Sequence, residues 1–394
     1  MRVLVGHNHY QWAGGEDAVV KTESRLLEEF GHQVQVFETD NTFINATGFQ
    51  RVQAAKDIFW SKTSYQRLRD VLGIFKPDVA HFHNIYFSLT PSVYDACRDE
   101  GVAVVQSLHN FRMLCANALF FRDGHVCEDC LDKSPWEGII HRCYKHSVLA
   151  SSTVTAMTSF HRWRKIWKNK VDMYITATEF TRGKYIQSGL PGDRIAIKPN
   201  VFCPLGDFVK PSGEFVLYVG RLSHEKGAQR LLEAWGHLPE IPLKVVGDGP
   251  LGQQLKTLAA SKGLKHIEFL GVCDEARYWQ HMQRAKFLVI PSGCYENFPR
   301  IAVEAYAFGL PILASRLGSL IEIIEEGRSG FLFDSLDPMD LASRARTMWG
   351  MDLNQMSARA RDIFETQYSP AVNIRQLLAV YEKARTNFAK GWKA

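Results

Sequence analysis

The chain has 394 residues, 46% hydrophobic and 23% charged, the balance of an ordinary globular protein but more length than one core fills, so two domains of roughly 200 residues are expected. Forty-seven Lys and Arg against 42 Asp and Glu leave a net charge of +5, which suits an acidic ligand or an anionic surface and gives no reason to expect nucleic acid as a partner. Two further classes are excluded. No apolar run approaches the ~18–20 residues that span a bilayer, and the opening Met1–Gly6 turns polar at His7, too soon for a signal peptide, so a cytoplasmic protein is expected. Eight cysteines in this length are too sparse for a disulfide scaffold.

In chain order, a strand is expected over Arg2–Gly6, a helix over Asp17–Phe30 and a strand over Gln33–Phe37, followed by apolar strands at Val79–Phe82 and Val102–Ser107. Turn formers then cluster at Lys198-Pro199-Asn200, Pro204-Leu205-Gly206 and Pro211-Ser212-Gly213, which marks a boundary. The pattern restarts with strand Phe215–Gly220, helix Ala228–Trp235, strand Leu243–Gly247, helix Leu251–Lys262 and strand Ile267–Gly271. A short buried strand Lys286–Pro291 leads to a helix at 299–308, with Pro299 at its first position and Gly309-Leu310-Pro311 as its stop, and then to a strand at Ile312–Ser315. After Pro370 a last helix carries Ile374, Leu377, Leu378 and Tyr381. Strands alternating with helices mean parallel sheets covered by helices, hence an α/β chain of two doubly wound domains: residues 1–205, residues 206–370 and a terminal helix, 371–394, returning to the first.

Candidate functional residues fall where strands end, the place where open α/β sheets put their ligand crevice. Glu296 and Glu304 form an E-x7-E pair across the junction of strand 286–291 and the following helix. The start of that helix offers free N–H groups and a positive dipole end to a phosphate, so carboxylates beside it suit sugar hydroxyls better than phosphate. Arg221 and Lys226 stand five positions apart on the turn that opens the helix from Ala228. Arginine grips a diphosphate with its fork and lysine meets it as a point charge.

Together Gly220-Arg221-Leu222-Ser223-His224-Glu225-Lys226-Gly227 and Glu296 to Glu304, with Val246-Gly247-Asp248-Gly249-Pro250 and Phe269-Leu270-Gly271 between them, resemble the retaining glycosyltransferases of family 4. These share the GT-B fold, two Rossmann-like domains facing across a cleft. The resemblance implies transfer of a sugar from a nucleoside-diphosphate sugar to a hydroxyl of a glycan or a polyprenyl or other lipid-linked acceptor, in cell-surface polysaccharide or glycolipid synthesis. It implies that Arg221 and Lys226 bind the diphosphate, Glu304 the ribose hydroxyls and Glu296 the transferred sugar. Asp248 and Gly249 then lie near the ribose and base. The family often presents backbone amides from a Gly-Phe-Gly run after the first glutamate; here Asn297-Phe298-Pro299 leaves the amides of Phe298 and Arg300, because proline donates none. In the N-terminal half, the resemblance gives Gly14 and Gly15 a place near the donor phosphate and His109 a hydrogen bond to the donor sugar. No catalytic metal is implied, since the two cations serve the diphosphate.

Histidines 7, 9, 81 and 83 also sit near strand ends and read as structural. Cys115, Cys127, Cys130 and Cys143 form a C-x11-C-x2-C-x12-C array in an insertion over about 111–146. A structural zinc site is one reading, with His125, His141 or His146 able to replace a ligand; unligated thiols and a disulfide or redox role are the others. Within 160–170, Trp163, Ile166 and Trp167 fall on one helical stripe amid five Lys and Arg, which reads either as a helix lying on an anionic membrane, and so a protein peripheral to the inner face of the plasma membrane, or as tryptophans packed into the N-terminal core under a solvated basic face. Two other functions are weighed against the transferase. A glycoside hydrolase using Glu296 and Glu304 as acid and nucleophile leaves Arg221 and Lys226 unexplained, and a non-catalytic nucleotide-sugar-binding protein of the same fold would differ only in lacking turnover. Dehydrogenase chemistry is disfavoured, for the first strand leads to Gly6-His7-Asn8-His9 and not G-x-G-x-x-G.

Overall fold

A computed structural model describes residues 1–9, 15–40, 57–204 and 212–391. The chain divides into two compact units, one of Met1–Ala118, Glu128–Val201 and the stretch from Pro370 on, the other of Leu119–Cys127 with Phe202–Ser369. Each is a Rossmann-like α/β domain on a six-stranded sheet whose strand pairs are all parallel.

In the first unit the strands are β1 (Arg2–His9), β2 (Gln33–Asp40), β3 (Val79–Phe82), β4 (Ala103–Ser107), β7 (Met173–Thr176) and β8 (Ile195–Ile197), in the order β2-β1-β3-β4-β7-β8. Central strands covered on both faces read as continuous apolar runs, and β3, β4 and β7 are buried along their whole length. The helix Gly15–Glu29 buries Val19, Val20, Glu23, Leu26 and Leu27, a stripe at helical spacing that includes one carboxylate. The final helix, Pro370–Lys390, packs on β4 and β7 through Ile374, Leu377 and Tyr381.

The second unit carries a two-residue hairpin from the insertion, β5 (Phe121–Arg122) and β6 (His125–Val126), and the strands β9 (Phe215–Val219), β10 (Leu243–Val246), β11 (Ile267–Gly271), β12 (Ala285–Ile290), β13 (Ile312–Ser315) and β14 (Gly330–Phe333). Their order is β11-β10-β9-β12-β13-β14, so the chain winds one way from β9 and the other way from β12. Val216, Tyr218, Trp235, Val245, Phe287 and Leu341 are part of one core beneath the helices.

Two local expectations are corrected. Residues 160–170 are not one helix: Val148–Trp163 ends, Lys165 takes a left-handed conformation (φ 52°), and a separate turn Ile166–Asn169 follows. Trp163 is 73% exposed while Ile166 and Trp167 are buried, Trp167 against the Tyr94 and His161 rings, so the apolar stripe does not exist as a surface. Pro299 is the N-cap and not the first helical residue of Arg300–Ala307, with φ −70° and ψ 104°. Among the described residues no helix is long and apolar enough to cross a membrane.

Candidate functional site

At the carboxyl ends of β9 and β12 the two following loops part, the switch point where such sheets hold ligands. The Gly293 N–H donates to the Glu225 carbonyl (2.9 Å), which ties the loops together. Lys226 Nζ reaches across to both oxygens of Glu296 (2.7 and 2.9 Å). Ser292 Oγ also donates to Glu296 Oε1 (2.5 Å), and Ser319 Oγ fixes the Glu296 carbonyl (2.6 Å). Burial of Glu296 favours its neutral acid, but the Lys226 ammonium and the Ser292 hydroxyl outweigh it and hold the carboxyl below its usual range. Burial likewise opposes the Lys226 charge, and Glu296 more than restores it. The result is an ionised pair whose lysine side chain keeps 34% exposure.

Gly227 permits this loop. It has φ 70°, and a Cβ there would lie 1.7 Å from the Pro291 carbonyl oxygen. Gly227→Ala should destabilise the protein by at least roughly 1–3 kcal/mol through the backbone alone. Denaturant unfolding checks this, and an unchanged midpoint would contradict it.

Arg221 is exposed and, among the described residues, its guanidinium has no hydrogen-bond or ion-pair partner. The Asp248 carbonyl takes the Leu222 N–H (3.0 Å), and Leu251 N–H donates to the Leu222 carbonyl (2.9 Å), so the 248–251 turn braces the basic loop. Asp248 Oδ1 takes the Gly249 N–H (2.7 Å) and leaves the rest of its exposed carboxylate outward. At the Arg300–Ala307 helix, Ala302 is the first residue to donate backward, to the Pro299 carbonyl (2.9 Å), which leaves the Arg300 and Ile301 amides as helix-start donors. Phe298 is buried, its ring 5.9 Å from that of Tyr368. Glu304 is 7% exposed, with Arg300 Nε 2.6 Å from Oε1 and the Tyr278 hydroxyl donating to Oε2. A ligand hydroxyl at Glu304 would share it with these two. Tyr278, Ser292 and Ser319 carried no motif and were missed in the sequence. Also unforeseen, the β5–β6 hairpin meets this unit beside the site: Arg230 Nη2 donates to the Gly124 carbonyl (2.6 Å), and the Phe120 and Tyr295 rings lie 6.3 Å apart.

The first unit gathers the strand-end histidines into one cluster. His83 Nδ1 and His109 Nε2 share a hydrogen bond (2.8 Å) and their rings stack within 9°. His81 bonds Tyr381 Oη (2.9 Å) and Ser107 Oγ (2.8 Å). Beneath them the buried Glu23 accepts from Lys198 Nζ and stands 3.7 Å from His83 Nε2. Burial pushes His109 down to about 4 and His81 and His83 well below their usual value, so all three are neutral at pH 7. Burial opposes the Glu23 charge, but Lys198 prevails and holds that carboxyl below its usual value. Nearby, Asp17 Oδ1 lies 2.9 Å from both His7 Nε2 and His9 Nδ1. These last three, and Glu23 with His81 and His83, are spaced closely enough to share a cation; His7 and His9 are already bonded to Asp17, and Glu23 to Lys198. Glu23 could have been found in the sequence as the one charge on an apolar helical stripe.

Gly15 begins the helix Gly15–Glu29, and Gly14 lies outside the described residues. Of the insertion cysteines, Cys115 and Cys130 are buried and their thiols hydrogen-bond, with Cys143 close enough to act on Cys130. Cys127 falls in the stretch grouped with the second unit.

Two Rossmann-like units, each on a parallel six-stranded sheet, are the architecture of the GT-B fold. HepE of Anabaena, solved in complex with UDP, matches over 97% of this chain and all of its own with a TM-score of 0.64 at 18% identity, a likeness of fold. Residues 13–202 match the family "Glycosyltransferase Family 4" and residues 208–361 match "Glycosyl transferases group 1". The chain belongs to the glycosyltransferase family. An uncharacterized glycosyltransferase of Methanocaldococcus jannaschii is 34% identical over 130 residues, 33% of this chain and 36% of that protein. D-inositol 3-phosphate glycosyltransferase 2 of Catenulispora acidiphila is 33% identical over 168 residues, 39% of this chain and 38% of its own length. The chain thus spans well under two thirds of the curated relatives it matches.

Proposed function

We propose that the protein is a retaining glycosyltransferase that moves a hexose-like sugar from a nucleoside-diphosphate sugar to a hydroxyl of a glycan or lipid-linked acceptor, in cell-surface polysaccharide or glycolipid synthesis. The observation that carries the reading is the Lys226–Glu296 pair across the switch point, with Arg221 exposed beside it and a helix start following. UDP and UDP-glucose bound to HepE support a uridine donor as the first to try. In this reading the bond from the anomeric carbon to the diphosphate breaks while Arg221, Lys226 and the Arg300–Ile301 amides stabilise the departing charge. The acceptor oxygen then bonds to that carbon on the same face, and its proton passes to the leaving phosphate oxygen. Glu296 orients the sugar hydroxyls, Glu304 the ribose, and Asp248 and Gly249 flank ribose and base. Two cations serve the diphosphate, so this reading needs no catalytic metal. A hydrolase fits less well, because Glu296 is held ionised beside Lys226 and cannot act as the general acid such chemistry needs.

Incubation with a panel of nucleotide sugars tests the proposal by release of nucleoside diphosphate. Slow release from one of them supports it, whereas cleavage of simple glycosides alone would overturn it. For a lipid-linked acceptor the reading includes approach to an anionic membrane, where the exposed Phe160, Trp163, Arg164 and Lys165 offer apolar and basic contact. Liposome co-sedimentation should fall several-fold when Trp163 and Arg164 are replaced by Ala and Glu; no binding by the unaltered protein would reject this part.

A further inference from the structure

We infer that Cys115, Cys130 and Cys143 hold a structural zinc ion that staples the insertion. This inference is independent of the donor chemistry. The insertion cannot be held by its own elements: its helices Asp129–Asp132 and Glu137–Ile140 have four residues each and its two strands two each. Pieces of that size do not persist alone. Of the two short helices only Cys130 and Gly138 are buried, so what packs there is a thiol and a glycine.

Gly138 is where three separate stretches meet. A Cβ on it would lie 2.7 Å from the Ala116 Cβ and 3.6 Å from the Cys130 Sγ. Its carbonyl takes the Cys143 N–H (2.9 Å). Ala116 follows Cys115, whose thiol hydrogen-bonds with that of Cys130. Cys115 and Cys130, from separate stretches of the chain, therefore meet at one buried point, the half-buried Cys143 is tied to it through its backbone, and no disulfide joins the three. Zinc is the cation that thiolates at such a point select, tetrahedrally at Zn–S ≈ 2.3 Å, which sets the sulfurs about 3.8 Å apart. Binding expels the thiol protons and adds its free energy to that of folding.

Elemental analysis of protein purified without chelator should find about one zinc per chain, and Cys115→Ser or Cys143→Ser should each bring it below ~0.3, with Cys273→Ser unchanged. Should a variant fail to fold, cobalt(II) reconstitution of the unaltered protein gives a second readout, a thiolate-to-cobalt charge-transfer band. Zinc below ~0.3 per chain with no such band, metal that survives both substitutions, or a Cys115–Cys130 disulfide in the isolated protein would each overturn the inference.

Discussion

Glu296→Gln should lower turnover roughly 10²–10³-fold while affinity for the nucleoside diphosphate stays the same or rises. The reason is the pairing of Glu296 with Lys226 before any ligand arrives. Glutamine keeps the shape and can still accept from Ser292, but it removes the charge that competes with a diphosphate for the ammonium. Lys226→Ala does the opposite and should weaken diphosphate binding roughly 10–100-fold, the worth of a charge-assisted contact. Glu304→Ala should mainly raise KM for the donor, for its carboxylate is held at the helix by Arg300 and Tyr278. Steady-state kinetics with calorimetric titration separate the parameters. Equal losses of kcat and diphosphate affinity in Glu296→Gln would contradict the division of labour.

The second large effect is on stability. Lys198→Met leaves the Glu23 carboxylate buried without its counter-ion and should cost about 3–5 kcal/mol, as should Glu23→Leu, which strands the ammonium. The double variant, which removes both charges, should cost far less than the sum. Denaturant unfolding of the three proteins measures this, and additive losses would contradict it. Acid should act on the same cluster. His109, His81 and His83 bind protons more weakly folded than unfolded, so the unfolded chain takes up protons first as pH falls. Stability is then full above about 6.5 and is lost progressively toward about 4. Glu23 adds a further loss at lower pH, since its folded value is depressed. The same cluster sets the His109 tautomer: a Glu23 carboxylate facing His83 Nε2 favours the proton there, so His83 Nδ1 accepts from His109 Nε2–H and His109 Nδ1 is left as an acceptor.

The fold was legible where structure is local. Val79–Phe82, Ala228–Trp235 and Ile312–Ser315 have the bounds their apolar runs predict, because a strand covered on both faces or a helix with one apolar stripe writes its period into adjacent residues. The second unit's candidate residues could be picked out for a similar reason, Arg221, Lys226 and Glu296 lying on two short loops and Glu304 on the helix that follows, at recognisable spacing. The histidine cluster was not. Its members come from β1, β3 and β4, with Lys198 and Tyr381 supplied from distant parts of the chain, and only the sheet order makes them neighbours. Taken singly, His7, His9, His81 and His83 looked structural, and His109 stood out only through the family resemblance. The 160–170 stripe misled because a period reading assumes an unbroken helix, and the left-handed Lys165 breaks it.

In the proposed reaction the second unit's switch point is a nucleoside-diphosphate site. Calorimetric titration of UDP and of GDP into the unaltered protein and into Lys226→Ala tests this most directly. One of the two should bind the unaltered protein, roughly 10–100-fold more tightly than it binds the variant. Binding of neither, or equal binding to both proteins, would contradict the claim.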